Sequence, residues 1–186
     1  MTVYTLRVTL GQTPPMFDPD EEEEVGCDID IDETHTLEDV HEAIFDAFDR
    51  WDAHMYEFTT YDEDGIATRR YAMPQQYSGE QSWPSMDAEE IERAISQVGA
   101  DDESAEVKDR FRELQSNPPD EGNAGETTLA DLDPERLQWL HYLFDFGDRW
   151  EHVINIDASR EGTLDGDPRI VETHGPIPPQ YTDPDG

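Results

Sequence analysis

The stretch YLFDFGDRWEHVINI, residues 142–156, alternates apolar and polar side chains on both sides of one glycine. A period of two is the spacing of a strand with one buried face. A Gly-Asp pair between two such runs favours a tight hairpin turn with positive φ angles. The predicted inner face carries Tyr142, Phe144 and Phe146 on the first strand, and Trp150, His152, Ile154 and Ile156 on the return strand, residues 149–157. Gly147 and Asp148 form the predicted turn, so only Asp145 and His152 are left without a structural role.

Three further segments have the same period of two. Residues 3–10 predict a half-buried strand, and residues 25–31, VGCDIDI, predict a strand with Asp28 and Asp30 pointing outwards. Cys27 falls on the inner face of that strand, which favours a small core residue over a nucleophile. Residues 54–72 predict a hairpin that turns at Asp64-Gly65 and carries His54, Tyr56 and Phe58 on one face.

The best helix lies in the segment 34–51. Thr36 is a good N-cap, and Asp39 three residues later completes a capping-box arrangement. Leu37, Val40, His41, Ile44 and Phe48 recur at spacings of three and four, which predicts one buried stripe. Because His41 lies in or beside this stripe, we expect a packed and hydrogen-bonded histidine and not a metal ligand.

These elements predict one α+β domain over residues 1–186. Its mostly antiparallel sheet would carry one main helix, with a β-grasp-like start. The acidic stretch 73–128 is poorly apolar and has short helical stripes at 87–98 and 104–115, which predicts a small helical insertion. Residues 175–186 form a proline-rich tail in this interpretation.

The charge of the chain indicates its solvent. It has 47 acidic and 12 basic residues, a net charge of −35, and Lys108 is its single lysine. In molar salt the Debye length falls to about 3 Å, so such self-repulsion is screened. In dilute buffer the same charge destabilises a compact state. The composition therefore predicts a folded cytoplasmic protein of a halophile. High charge is also typical of disordered chains, but the aromatic content and the apolar patterns argue against disorder here.

Composition also narrows the classes of function. Basic residues cluster only at Arg69-Arg70, with Tyr61 and Tyr71 nearby, so nucleic-acid binding is disfavoured. One cysteine allows neither an intramolecular disulfide nor a thiolate metal cluster. No apolar run is long enough for a membrane helix, and the N-terminus has no signal-peptide pattern, so we expect no membrane contact.

Two segments together resemble a known family. HEAIFDAFDRWDAHMYEF and YLFDFGDRWEHVINI are similar to the plasmid pRiA-type Orf-three-like family. The resemblance covers residues 3–72 and 139–179. The matching positions are His41, Trp51, His54, Tyr56, Phe58, Tyr142, Phe144, Asp145, Phe146, Gly147, Asp148, Trp150 and His152. Six of them are interpreted as structural residues of the motif: His41, Trp51, Tyr56, Phe58, Gly147 and Trp150.

The resemblance implies an α+β fold and an association with mobile elements, and it implies no reaction. Many relatives end in a Cys-Pro-Pro-Glu-Asp-like segment, whose counterpart here is GPIPPQY, residues 175–181. Because this counterpart has no cysteine, a metal role for that cysteine does not carry over.

Three hypotheses of function follow, and none predicts a cofactor or names catalytic residues. The first is a non-catalytic binding or accessory domain for a protein or small ligand, with a groove between the Asp148 hairpin and the His54 strand. The second is a hydrolase-like site for a divalent ion. Its candidate ligands are His54, Glu57, Asp145, Asp148 and His152. A purely structural alternative to the metal is a histidine that donates to an aspartate beside Trp150. The third hypothesis is nucleic-acid binding.

Overall fold

The computed structural model describes residues 1–12, 24–62, 65, 67–77 and 119–181. Its elements in chain order are β1 Thr2–Gln12, β2 Gly26–Asp32, α1 Leu37–Ala47, β3 Tyr56–Tyr61, β4 Ala67–Ala72, β5 Asp120–Asn123, a 3₁₀ helix Leu129–Leu132, β6 Leu140–Phe144, β7 Trp150–Glu161 and β8 Arg169–His174. The eight strands form one sheet in the order β5-β4-β3-β6-β7-β1-β2-β8. The β4–β5 pair is parallel and the remaining neighbours are antiparallel.

One face of the sheet carries the core, because alternate residues of five neighbouring strands are apolar and stand in register. Val8 pairs with Cys27 and with Ile154, and Tyr142 pairs with Phe58 and with His152. Helix α1 covers this face with its buried stripe, Leu37, Val40, His41, Ala43, Ile44 and Ala47. Burial of Cys27 raises the pKa of its thiol to about 12. The prediction of a core cysteine is therefore confirmed.

The start of α1 is fixed by the predicted capping box. The Thr36 hydroxyl accepts from the Asp39 N–H at 3.2 Å, and the Asp39 carboxylate accepts from the Thr36 N–H at 2.7 Å. These two bonds satisfy donors that a helix start would otherwise leave without partners. The local sequence alone is therefore sufficient to place this helix.

The predicted fold class is wrong. Among the described residues the structure is a large mixed sheet of eight strands with one α-helix, where the prediction was an α+β domain of one main helix on a mostly antiparallel sheet with a small helical insertion. Strands β5 and β8 were missed as sheet members because neither has a buried apolar face: β5 reads DEGN, and β8 reads RIVETH and is almost wholly exposed. The predicted stripes at 87–98 and 104–115 lie outside the described residues. The domain boundaries stay predictions.

The alternation of β2 predicts that Asp28 and Asp30 point outwards, away from the core. They lie on the sheet face opposite α1, yet Asp28, Asp30 and Asp32 are all buried. Arg7 donates to Asp28 through two nitrogens. Arg160 donates to both oxygens of Asp30, from Nη1 to Oδ1 at 3.3 Å and from Nη2 to Oδ2 at 2.8 Å, and Arg169 Nη2 donates to Oδ2 as well. Sequence alternation places these carboxylates on the correct face, but the arginines that cover Asp28 and Asp30 come from other strands, β1, β7 and β8.

Asp32 is held by neutral donors. Its Oδ1 accepts the Thr34 hydroxyl at 2.6 Å and the Thr34 N–H at 3.0 Å, and its Oδ2 accepts the Leu164 N–H at 3.1 Å. Burial alone would raise the pKa of Asp32, but these hydrogen bonds, with help from His35, lower it to about 2. The ionised carboxylate therefore contributes to stability.

We expect Asp32→Asn to lower the free energy of unfolding by about 2 kcal/mol at pH 5 to 6. The folded pKa is below the ordinary value of 3.8, so the contribution is fully present above that value. It is lost as the pH falls through about 2. Urea unfolding of both proteins between pH 6 and pH 2 measures the difference, which should shrink towards zero in acid.

Asp165→Asn is the matched control, because Asp165 is exposed in the loop before β8. Its cost should stay small at every pH in that range. A cost for Asp32→Asn that does not change between pH 6 and pH 2 would contradict the assignment.

No helix among the described residues is long and apolar enough to cross a membrane.

Candidate functional site

The segment after α1 turns two neighbouring side chains in opposite directions. Asp49 has a left-handed φ of 50°, and the N–H of Arg50 donates to the Phe45 carbonyl at 3.0 Å. Aspartate tolerates this conformation because its short side chain can hydrogen-bond locally. As a result Arg50 is buried, whereas Trp51 is 73% exposed. Trp51, predicted as a structural residue of the motif, is thus a surface residue.

The end of the chain holds this segment in place. Gln180 is only 2% exposed, and its Oε1 accepts the N–H groups of Trp51 and Asp52, both at 3.0 Å. Its Nε2 donates to the Asp52 carbonyl at 2.7 Å. One glutamine therefore satisfies three backbone groups, and Pro178 adds a carbonyl that accepts from Arg50 Nη1 at 3.2 Å. Residues 175–181 act as a clamp on residues 50–52.

The loop between β6 and β7 supplies the opposite wall, and it differs from the predicted two-residue turn. Left-handed φ angles occur at Asp145 and Arg149, both 57°, and not at Gly147 or Asp148. The Asp145 Oδ1 accepts the N–H groups of Gly147 at 2.9 Å and Asp148 at 3.3 Å, which organises a five-residue loop, 145–149. Phe146 lies in this loop and is exposed, so its predicted position on the inner face is wrong.

The two walls meet at His54. Its Nε2 lies 2.6 Å from the Tyr181 hydroxyl, 3.4 Å from Asp52 Oδ2 and 3.5 Å from Asp145 Oδ2. The Tyr181 hydroxyl donates to Asp52 Oδ2 at 2.8 Å, so its oxygen accepts the Nε2–H of His54. Desolvation and the neighbouring Asp52 raise the pKa of Tyr181 to about 12. We call these four residues the imidazole cluster.

Large apolar side chains border the imidazole cluster on its solvent side. Trp51 and Tyr181 meet edge to face, with ring centroids 5.5 Å apart. Met55 and Phe146 lie where the walls join, because the Asp145 N–H donates to the Met55 carbonyl at 2.9 Å. We call the four exposed side chains, Trp51, Met55, Phe146 and Tyr181, the aromatic corner. Exposed apolar clusters of this kind, with a polar border, are typical of binding surfaces.

A buried cation lies beneath the aromatic corner. The Arg50 guanidinium carbon lies 3.9 Å from the ring centroid of the fully buried Trp150. Burial lowers the pKa of Arg50 to about 10. Within the described part of the chain, Arg50 makes no ion pair with a carboxylate, and its Nη2 has no hydrogen-bond partner. The guanidinium is therefore stabilised by the indole face and by the Pro178 carbonyl.

The five predicted metal ligands are only partly brought together. His54 Nε2 lies 3.5 Å from Asp145 Oδ2, and the backbone N–H of Asp148 donates to Asp145 Oδ1. Glu57 forms an ion pair with Arg70 on the neighbouring strand. His152 faces α1, with its ring centroid 4.9 Å from that of Phe48. A divalent ion bound by these residues stays a prediction, and in the described part of the chain no three of them bring ligand atoms within 4.8 Å of one another.

His152 is a core residue. It is buried, and burial together with the nearby Arg50 lowers the pKa of its imidazole to about 3. The structural alternative, a histidine that donates to an aspartate beside Trp150, does not involve His152, since Asp145 Oδ2 lies 3.5 Å from His54 Nε2. The prediction for His41 is confirmed: its Nδ1 lies 2.7 Å from the Tyr142 hydroxyl, and its ring stacks on Tyr56 with centroids 3.7 Å apart.

A second group of acids and imidazole was missed from the sequence. Asp28, Glu172 and His174 offer ligand atoms within 4.8 Å of one another, on β2 and β8. Arg7 already donates to Asp28 through two nitrogens, and His174 Nε2 lies 3.1 Å from Asp28 Oδ2. Since a bound cation would have to displace or face the Arg7 guanidinium, this group is best described as an ion-pair network.

The residues considered for nucleic-acid binding are engaged within the fold. Arg70 pairs with Glu57, and Tyr61 stacks on Trp139 with ring centroids 4.4 Å apart. Tyr71 is buried below the Arg69 guanidinium. Nothing in this arrangement adds support to the third hypothesis.

We expect Asp145→Ala to lower the free energy of unfolding by about 1–3 kcal/mol, because two loop N–H groups lose their acceptor. Alanine also tolerates the left-handed backbone less well than aspartate. Asp145→Asn is the matched control, because an amide keeps both the acceptor and the left-handed preference. Urea unfolding compares the three proteins. An equal cost for both substitutions would instead assign the stabilising role to the charge that faces His54.

The chain is similar to one protein family and to a solved structure. A family model described as plasmid pRiA4b ORF-3-like protein matches residues 2–183, which is nearly the whole chain. Among solved structures, a protein of unknown function from Methanosarcina mazei Go1 matches with a TM-score of 0.57 and 18% sequence identity. The match covers 96% of this chain and 73% of that chain, and at this identity it shows a shared fold alone. No curated protein matches the chain.

Proposed function

Since this chain belongs to the plasmid pRiA4b ORF-3-like protein family, a membership that assigns no reaction, we propose from its geometry that it is a non-catalytic binding protein. The aromatic corner is the contact surface in this proposal. The observation that carries it is the position of Trp51, a residue that is 73% exposed although Gln180 fixes its backbone. An exposed indole on a held backbone loses little conformational entropy on binding, and tryptophan and tyrosine dominate the energy of many interfaces.

The imidazole cluster supports a scaffolding role over acid–base chemistry. His54 Nε2 is engaged by the Tyr181 hydroxyl, and Asp145 Oδ1 is used by two N–H groups of its own loop. A general base must offer its lone pair to a substrate. Here His54 Nε2 carries the hydrogen that it donates to Tyr181, so this atom has no lone pair to offer, and Asp145 Oδ1 organises its own loop.

Site-specific crosslinking in an extract of the source organism tests this function. A photoreactive phenylalanine analogue replaces Phe146 at the corner, and in a control protein it replaces Val171 on β8, which is also exposed. We expect discrete crosslinked products from position 146 that disappear when Trp51→Ala is added. Products that are the same from both positions, or that survive Trp51→Ala, would contradict a binding role for the corner.

The proposal also includes the cellular environment of the protein and its association with a mobile element. The net charge of −35 and the single lysine support a halophile's cytoplasm, where screening makes such a surface tolerable. The description of the family supports an accessory role on a mobile element. Deleting the gene from its element and measuring the maintenance of that element tests this second point, and unchanged maintenance would contradict it.

A further inference from the structure

The charges around the aromatic corner restrict its ligand. Asp52, Asp145 and Asp148 flank the rings, and the Asp52 side chain is 48% exposed. The nearby cations are already engaged: Arg50 is buried against Trp150, and Arg149 donates to Glu151. His54 faces Asp52, Asp145 and the Tyr181 hydroxyl. The corner therefore presents aromatic faces beside carboxylates that have capacity for a further donor.

Three classes of partner can be compared on this surface. A neutral apolar partner would bury carboxylates without new hydrogen bonds, which is costly. An acidic partner would be repelled by the same groups. A cationic group avoids both penalties, because it pairs with a carboxylate and is attracted to the face of an aromatic ring.

Among biological cations, guanidinium fits this arrangement better than ammonium. It is planar, stacks on aromatic rings and donates to a carboxylate through two parallel N–H groups. The chain contains the stacked arrangement in its own interior, where the Arg50 guanidinium lies 3.9 Å from the Trp150 centroid. An ammonium is compact and more strongly hydrated, so it gains less from the indole face.

We propose that the aromatic corner recognises an arginine side chain on the surface of a protein partner. The guanidinium lies over the exposed face of Trp51 and donates to the carboxylate of Asp52. This inference rests on the proposed binding function and names the chemical group that the surface selects.

Titration of the isotope-labelled full chain by NMR tests the inference in 2 M KCl. The reporter is the indole N–H signal of Trp51, one of four tryptophans, assigned by its loss in Trp51→Phe. The probes are capped pentapeptides with a central arginine, lysine or citrulline, and free tetramethylammonium. We expect saturable shifts with the arginine peptide at millimolar concentrations, weaker binding of lysine and no binding of citrulline, which keeps the shape of arginine without its charge.

Two variants of the corner sharpen the result. Asp52→Asn keeps an oxygen that accepts from Tyr181 but removes the charge, and it should weaken arginine binding about two- to fivefold. Asp165→Asn, in a loop outside the corner, should leave binding unchanged. Comparing the amide spectra of the variants with that of the parent protein confirms that each is folded.

Several outcomes would overturn the inference. Equal binding of the arginine and citrulline peptides would show that charge is not recognised. Equal binding of tetramethylammonium would assign the corner to small cations and not to a partner's arginine. Absence of peptide binding, with Trp51-dependent crosslinks intact, would reject arginine recognition and keep the binding function. Absence of both would reject the two together.

Discussion

Trp150→Ala is expected to lower the free energy of unfolding by about 3–5 kcal/mol, the range for removing a fully buried aromatic side chain. The Trp150 side chain is completely buried on β7, in register with Phe144 on β6. The substitution also removes the ring on which the Arg50 guanidinium lies, and so leaves a buried cation with less compensation. Since the free energy of unfolding of a domain is about 5–15 kcal/mol in total, this one substitution should remove a large share of it.

Urea unfolding followed by circular dichroism measures the effect, and Trp51→Ala is the matched control. The same side chain is removed there from a position that is 73% exposed, so its cost should stay within about 0.5 kcal/mol. Equal costs at the two positions would contradict the placement of Trp150 in the core and Trp51 at the surface. The control also verifies that the variant used in crosslinking is folded.

Removal of salt is expected to unfold the protein. At a net charge of −35 the carboxylates repel one another, and the Debye length grows from about 3 Å at 1 M salt to about 10 Å at 0.1 M. Repulsion over that longer range destabilises the compact state. We expect native structure above about 1 M KCl and its cooperative loss below that concentration, followed by circular dichroism during stepwise dilution.

A variant with fewer charges separates screening from other effects of salt. Glu161→Gln, Asp165→Asn and Asp167→Asn together remove three exposed carboxylates from the described surface. The KCl concentration at the midpoint of unfolding should fall in this triple variant, and sucrose in place of KCl should not restore the fold. Full native structure in 0.1 M KCl would reject the halophilic interpretation.

Sequence patterns predicted some residues of the candidate site, and the residues that they missed lie near the C-terminal end of the given sequence. His54, Asp145 and Asp148 could be named because they lie within patterned segments. Gln180 and Tyr181 carry no pattern, since the PPQY segment is neither a strand nor a helix. Their role arises from backbone hydrogen bonds to residues 51 and 52, which no spacing within the sequence encodes.

The predicted metal set illustrates the same limit. Alternation correctly assigns His152 and Glu57 to opposite faces of their strands, but it does not say which strand lies beside which. The sheet order places His152 against α1 and Glu57 beside Arg70 on β4. Both are thereby separated from His54, which meets Asp145 because the β6–β7 loop folds over residues 52–55.

The sequence alone determined the central strands, the start of α1 and the burial of Cys27, because apolar periodicity and capping are local properties. Tertiary structure decided the edge strands β5 and β8, the arginine cover over the β2 carboxylates and the clamp by Gln180. Each of these depends on hydrogen bonds or charges between segments far apart in the chain. A polar residue can form a hydrogen bond or an ion pair with its partner from any such segment. Its position in the sequence therefore shows no periodicity from which the contact could be predicted.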